Sequence, residues 1–256
     1  MTILLTNDDG IFADGIRILA EKLSKKHEVI VAAPDSERSG TSHSLTIFKR
    51  LTYRPYGYID GVRAYSISGT PADCVKFATM TLMKKAPDLV VSGINNMPNL
   101  GTDVIYSGTV NAALEGVVCG IRSIALSVLY EDDGDYEYVS EFMLSNLEKI
   151  YGLIPKNAAF NINFPSGKKS RLRGVGFAAL GIQSYSDEYV PQGGDDGGEH
   201  YILTGDFLKN PDNAADCDVE MHDAMYVTIT PLRIQTTDFD ALARLKKSKA
   251  SDGITL

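Results

Sequence analysis

The sequence predicts an α/β protein: a mainly parallel sheet with helices on both faces, followed by a β-rich extension. Two observations carry this expectation. In the first half, short apolar runs alternate with segments whose apolar residues recur at helical spacing, the pattern of strands buried on both faces with helices packed over them. In the second half, period-2 alternation and a stretch rich in Gly, Asp and Asn replace that pattern.

The elements follow in order. Ile3-Leu4-Leu5 reads as a buried strand. Residues 15–25 place Ile16, Leu19, Ala20 and Leu23 on one helical face, and Val29 to Ala33 closes a βαβ unit. Hairpin-like runs near 45–54 and 62–68 come after a polar loop. At Thr70-Pro71 a helix opens with Thr70 as N-cap, Pro71 at the first position and Asp73 completing a capping box. Leu89-Val90-Val91 is a further buried strand, and a long loop over 92–108 leads to a helix at about 109–119. Ser123 to Leu129 predicts a strand and 138–151 a helix. Asn161-Ile162-Asn163-Phe164 alternates like a strand with one polar face. Residues 192–218 have the composition of flexible connections. Tyr226 to Thr230 returns to strand, and 237–248 predicts a closing helix.

One domain over 1–256 is expected. Its core covers about 1–180 with a closing strand and helix at about 222–250, and an extension at about 181–221 packs its apolar residues on a partner subunit.

Composition narrows the functional classes. The formal net charge of -8 disfavours nucleic acid and anionic membranes as partners, and it means that a phosphate ligand needs a local cation or a nest of backbone N–H groups. No run approaches the ~18 apolar residues of a membrane span, and the first residues lack a signal-peptide pattern, so a cytoplasmic protein is expected. Cys74, Cys119 and Cys217 form no CxxC pair, which argues against zinc and a disulfide framework. His27, His200 and His222 have no ligand-like spacing.

Ligands of an open parallel sheet bind beyond the carboxyl ends of its strands. Three polar loops leave such ends. In Thr6-Asn7-Asp8-Asp9-Gly10, adjacent carboxylates repel unless a cation or proton lies between them, and Gly10 supplies the turn that lets both face one ion. Taken alone, the pair is equally compatible with solvated capping aspartates. The second loop, Pro34 to Ser44, offers Arg38, Ser39, Ser42 and His43 for phosphate or proton transfer, or is an ordinary hydroxyl-rich surface loop. The third, Ser92 to Val110, holds Asn95, Asn96 and Asn99, whose amide oxygens suit a hard cation or support turns. It ends at Ser107-Gly108-Thr109, a helix start fit for phosphate or for plain capping. An oxygen-only donor set favours Mg or Mn over Zn or Cu, one divalent ion per subunit.

TNDDG at 6–10, APDSERSG at 33–40, GTPADCV at 69–75, SGIN at 92–95 and YSGTV at 106–110 together resemble the SurE family, the stationary-phase survival protein 5′-nucleotidases. The likeness is dense over the N-terminal half and loose beyond it, through NINFP and YVTITPL. It implies a Rossmann-like three-layer α/β/α core and a metal-dependent phosphatase acting on nucleoside 5′-monophosphates, with 3′-nucleotides or polyphosphate as further candidate substrates. It implies metal ligation by Asp8, Asp9, Ser39 and Asn95, and a homodimer or homotetramer that exchanges C-terminal elements. Asp8 and Asp9 are also the candidate catalytic residues. Asn96, Ser107, Gly108, Thr109, Ser42 and His43 are the candidate phosphate and substrate contacts. Two positions depart from the family pattern: Met97 stands where glycine is usual, and Asn111 where Gly or Ser is common. A non-catalytic nucleotide-binding module and a phosphatase for other small monoesters are the competing readings.

Overall fold

Strands buried from both sides organise the protein. In β1 (Thr2–Thr6), Ile3 and Leu5 enter one hydrophobic cluster and Leu4 enters another, and all three are fully buried. The computed structural model describes residues 1–57, 59–194 and 197–248. After β1 come α1 (Asp14–Leu23), β2 (Glu28–Pro34), the hairpin of β3 (Tyr53–Tyr56) and β4 (Arg63–Ile67), and α2 (Pro71–Phe77). The chain continues through β5 (Leu89–Asn95), α3 (Gly108–Val118), β6 (Arg122–Val128), α4 (Asp133–Leu153) and β7 (Ala159–Phe164). Next are β8 (Gly174–Phe177), β9 (Ser184–Tyr185), β10 (Glu188–Gly193), β11 (His200–Thr204) and β12 (Phe207–Leu208). The last elements are α5 (Asp218–Asp223), β13 (Tyr226–Leu232) and α6 (Phe239–Ser248).

Nine strands form one sheet in the order β3-β4-β2-β1-β5-β6-β7-β13-β8. From β4 to β7 every pairing is parallel, while β3 and β13 each join antiparallel to a neighbour. Helices α1 and α4 cover one face through Ile16, Leu19, Val139, Met143 and Leu147. On the other face lie α2 and α3, through Cys74, Val75, Val110, Ala112 and Ala113. This is the expected three-layer, mainly parallel arrangement.

Four sequence expectations change. Of the run 45–54 only the last residues join a strand; Ile47 and Phe48 are exposed, and Phe48 has a positive φ of 59°. Helix α4 begins at Asp133 rather than near 138, because Asp132 and Asp135 form a capping box. The polar residues of β7 face no solvent: Asn161 and Asn163 are fully buried and hydrogen-bond the carbonyl of Asn99 at 2.7 and 3.1 Å. The segment 192–218 is not only connection, since it holds the end of β10, then β11 and β12. Thr70, Pro71 and Asp73 open α2 with the capping box that the sequence predicts.

The extension packs loosely on this body. Tyr189, Tyr201, Ile202 and Leu203 of the β10–β11 hairpin are exposed, and α6 buries none of its residues. Among the described residues no helix is long and apolar enough to cross a membrane.

Candidate metal and phosphate site

β1 lies between β2 and β5, with Thr2↔Glu28 and Thr6↔Ser92 in parallel register. Their carboxyl ends therefore reach one edge of the sheet, and the three polar loops leave from it side by side. The second loop is bonded to the first: the Arg38 N–H donates to the Asp8 carbonyl at 2.7 Å, and the Ile11 N–H to the Pro34 carbonyl at 2.8 Å. Gly10 turns the first loop at φ 101°, a conformation that favours glycine. Asn7 closes that turn, its side chain bonding Gly10 through both amide atoms.

Asp8 is 5% exposed and Asp9 half-buried. The Thr109 hydroxyl donates to Oδ1 of Asp8. Gly108 sits directly against the same side chain, where a Cβ would stand 2.8 Å from that of Asp8. The N-terminus of α3 is thus pressed onto the first aspartate, which only a glycine permits. Burial pushes the Asp8 carboxyl upward against the Thr109 hydrogen bond. Burial, then the charges of Asp8 and Glu37, raise Asp9 to about 7. Among the described residues neither aspartate forms an ion pair with Lys, Arg or His. Adjacent carboxylates, one buried and one half-buried, without a protein cation and offering hard oxygen donors, fit a divalent ion of the Mg or Mn type. No group of three or more His, Cys, Asp or Glu side chains is placed to hold a metal among the described residues, so further donors would come from hydroxyl and amide groups.

The other predicted residues divide. Asn95 ends β5, and its amide nitrogen donates to the Met97 carbonyl at 2.6 Å, which leaves the oxygen as the end suited to a cation. Ser39 is exposed, and its hydroxyl donates to Glu37 at 2.8 Å rather than contacting either aspartate. Asn96 is exposed, with its carbonyl accepting from the Tyr130 N–H at 3.1 Å. Ser107 caps α3 by accepting from the Val110 N–H at 3.0 Å. The Ser42 hydroxyl donates to the Ile105 carbonyl at 2.7 Å and joins the second loop to the third. Asn99, an amide candidate by sequence, is instead a buried tether: its N–H donates to Asn163 at 2.8 Å and its amide nitrogen to Ser127 at 3.0 Å. Arg38 pairs with Asp35 at 3.2 Å, and its Nε is buried without a hydrogen-bond partner among the described residues. Asn111, one of the two departures, bonds the carbonyls of Val104, Ile105 and Ser107 and so secures the turn into α3.

His43 is drawn away from the aspartates into a network that sequence reading missed. It lies 2.8 Å from Glu115, which also accepts from Lys76 at 2.5 Å. Glu115 is 2% exposed. Burial raises its carboxyl, but the His43 and Lys76 hydrogen bonds outweigh burial and hold it below the ordinary range. The available signal was Glu115 as the lone charged residue of α3, on the face of Ala112.

Fold and site together define a Rossmann-like α/β protein with an acidic, oxygen-rich strand-end site beside a helix N-terminus. The family model described as Survival protein SurE matches residues 3–187, and the chain belongs to that family. It is 41% identical over 249 residues to the 5′-nucleotidase SurE of Thermosipho melanesiensis, covering 96% of this chain and 97% of the relative. It is 41% identical over 253 residues to the 5′-nucleotidase SurE of Synechococcus elongatus, with 96% and 98% covered. The crystal structure of the SurE protein from Aquifex aeolicus superposes with a TM-score of 0.80 at 32% identity, covering 97% of this chain and all of that one.

Proposed function

We propose that the protein is a metal-dependent 5′-nucleotidase that hydrolyses nucleoside 5′-monophosphates to nucleoside and phosphate. The observation that carries this reading is Asp8, buried against the N-terminus of α3 beside the half-buried Asp9, with neither carboxylate paired to a protein cation among the described residues. The names of the family's relatives supply the substrate class.

Asp8, Asp9, Ser39 and Asn95 are the residues that would hold one Mg or Mn ion. When bound, such an ion supplies charge neutralisation at the phosphate and a more acidic water. The chain's own residues do the rest. Thr109 fixes the Asp8 carboxylate through its hydroxyl. Gly108 offers a first-turn N–H of α3 to phosphate oxygens, while the Thr109 N–H donates to the Asp8 carboxylate and Ser107 occupies the Val110 N–H. Asn96, exposed on the third loop, is a further phosphate contact. Asp9 is the candidate base for the attacking water. Ser42 and His43 act at one remove: Ser42 pins the second loop to the third, and His43 anchors it to Glu115.

The exposed apolar hairpin and the unburied α6 support a homodimer or homotetramer, with the extension in the subunit contacts. The acidic composition supports a small-molecule substrate rather than nucleic acid or membrane. Phosphate release from p-nitrophenyl phosphate and a panel of nucleoside monophosphates, with Mn, Mg or EDTA, tests the function. Release that depends on the ion and extends to nucleotides supports it; no ion-dependent release by the wild type refutes it.

A further inference from the structure

Between Asn95 and the N-terminus of α3, the third loop walls a cavity of about 380 Å³ whose lining includes Met97, Leu100, Asp103, Gln183, Tyr185 and Phe207. That volume falls within the ~300–1,000 Å³ of small-molecule pockets. Both ends of the wall are bonded into the candidate phosphate site. Met97 accepts from the Asn95 amide at 2.6 Å, and the Asp103 carbonyl accepts from the Ser107 N–H at 3.1 Å.

The cavity is also built rather than left between loose segments. Asp218, fully buried, accepts from the Gly101 N–H at 2.9 Å and the Gly181 N–H at 2.7 Å, locking the loop to the extension. Thr102 donates to the Gln183 carbonyl at 2.5 Å, and Leu100, Cys217 and Val219 form a small buried cluster beneath. Oδ2 of Asp103 accepts from both the Gln183 amide at 2.7 Å and the Tyr185 hydroxyl at 2.6 Å, and Oδ1 accepts no bond among the described residues. Apolar and aromatic walls with one fixed polar cluster are the chemistry that receives a flat heterocycle with donors along its edge.

We propose that this cavity binds the nucleoside end of the substrate, with Met97 and Phe207 against the base and Asp103 accepting from its N–H edge. This deepens, and rests on, the nucleotidase reading above. It also gives Met97 a role: a 59% exposed side chain extends the apolar wall beside the phosphate site.

Calorimetric titration of adenosine and guanosine tests it without turnover. The proteins are the wild type, Asp103→Asn and Met97→Ala, the last at an exposed position that leaves the fold intact. Nucleosides should bind the wild type and weaken about tenfold in Asp103→Asn, the scale of one hydrogen bond to a charged group. The ratio of kcat/KM for nucleoside monophosphates to that for p-nitrophenyl phosphate should fall in step, with a smaller fall for Met97→Ala. Unchanged nucleoside affinity in both variants, or an unchanged ratio, overturns the proposal. Loss of nucleoside binding in the variants of a protein that shows no ion-dependent hydrolysis would support the cavity while refuting the nucleotidase reading.

Discussion

Gly108 packs directly on Asp8, so closely that a methyl group there would stand 2.8 Å from the aspartate Cβ and 2.9 Å from Oδ2. Gly108→Ala should therefore shift the carboxylate while leaving the distant core alone. Overpacking of this kind costs ~1–3 kcal/mol, several degrees of Tm for a chain of this length. A displacement near 1 Å at a reacting centre costs about a hundredfold in rate. Phosphate release should fall on that scale with far-ultraviolet circular dichroism unchanged. Wild-type turnover in Gly108→Ala would show that the contact does not position Asp8 for chemistry.

Thr109 makes the companion contact through its hydroxyl. Thr109→Val keeps the shape and removes the donor, leaving a buried carboxylate oxygen without its partner. Affinity for Mn should fall about tenfold by calorimetry, and Thr109→Ser should recover most of it. Equal affinity in the valine and serine variants would remove the hydroxyl from the account.

The aspartates set a pH dependence of the ion-free protein. Burial raises both carboxyls, Asp9 to about 7 against an ordinary 3.8. Between those values the folded chain binds more protons than the unfolded one, so stability falls as pH rises through the window. The loss is a few kcal/mol at most. In EDTA, Tm should drop from pH 5 to pH 8, and Asp9→Asn should flatten the drop. Because cations compete with protons for the same oxygens, Mn should raise Tm more at pH 8 than at pH 5. An ion-free Tm independent of pH in both proteins would contradict the burial argument.

The third loop hangs on β7. Asn163 bonds both the N–H and the carbonyl of Asn99, and Asn161 bonds that same carbonyl. Asn163→Leu leaves the buried Asn99 N–H unpaired, a loss of ~1–3 kcal/mol, while Asn161 keeps the carbonyl bonded. Tm should fall accordingly. KM for nucleotides should rise more than for p-nitrophenyl phosphate, since the loop also walls the proposed nucleoside cavity.

Legibility in the sequence followed the locality of the cause. The buried strands and the helices over them are written in apolar periodicity, and the Thr70 capping box in four consecutive residues. The site was legible as three loops because parallel strands deliver their carboxyl ends to one edge. Which side chain touches which was not, because those contacts join residues far apart in the chain: Thr109 to Asp8, Glu115 to His43, Asn163 to Asn99. The alternation of β7 reads as one wet face because periodicity reports polarity, not exposure. Here the polar face is buried and bonded to a loop. Asp132 and Asp135 escaped notice as a helix start because the segment from Glu131 to Glu137 is acidic and holds Gly134, and the buried apolar residues of α4 begin only at Tyr136 and Val139.

In the proposed function, Asp8 holds a divalent ion on which hydrolysis depends. Asp8→Asn nearly conserves shape and keeps an oxygen for the Thr109 hydroxyl, so the fold should persist. The direct measurement is Mn-dependent phosphate release from nucleoside 5′-monophosphates by wild type and Asp8→Asn, with Mn binding followed in parallel. Asp8→Asn should lose turnover at least a hundredfold, on the scale of removing a group that positions the reacting centre, together with weakened Mn binding. Full turnover by Asp8→Asn, or ion-independent turnover by the wild type, would contradict that role of Asp8.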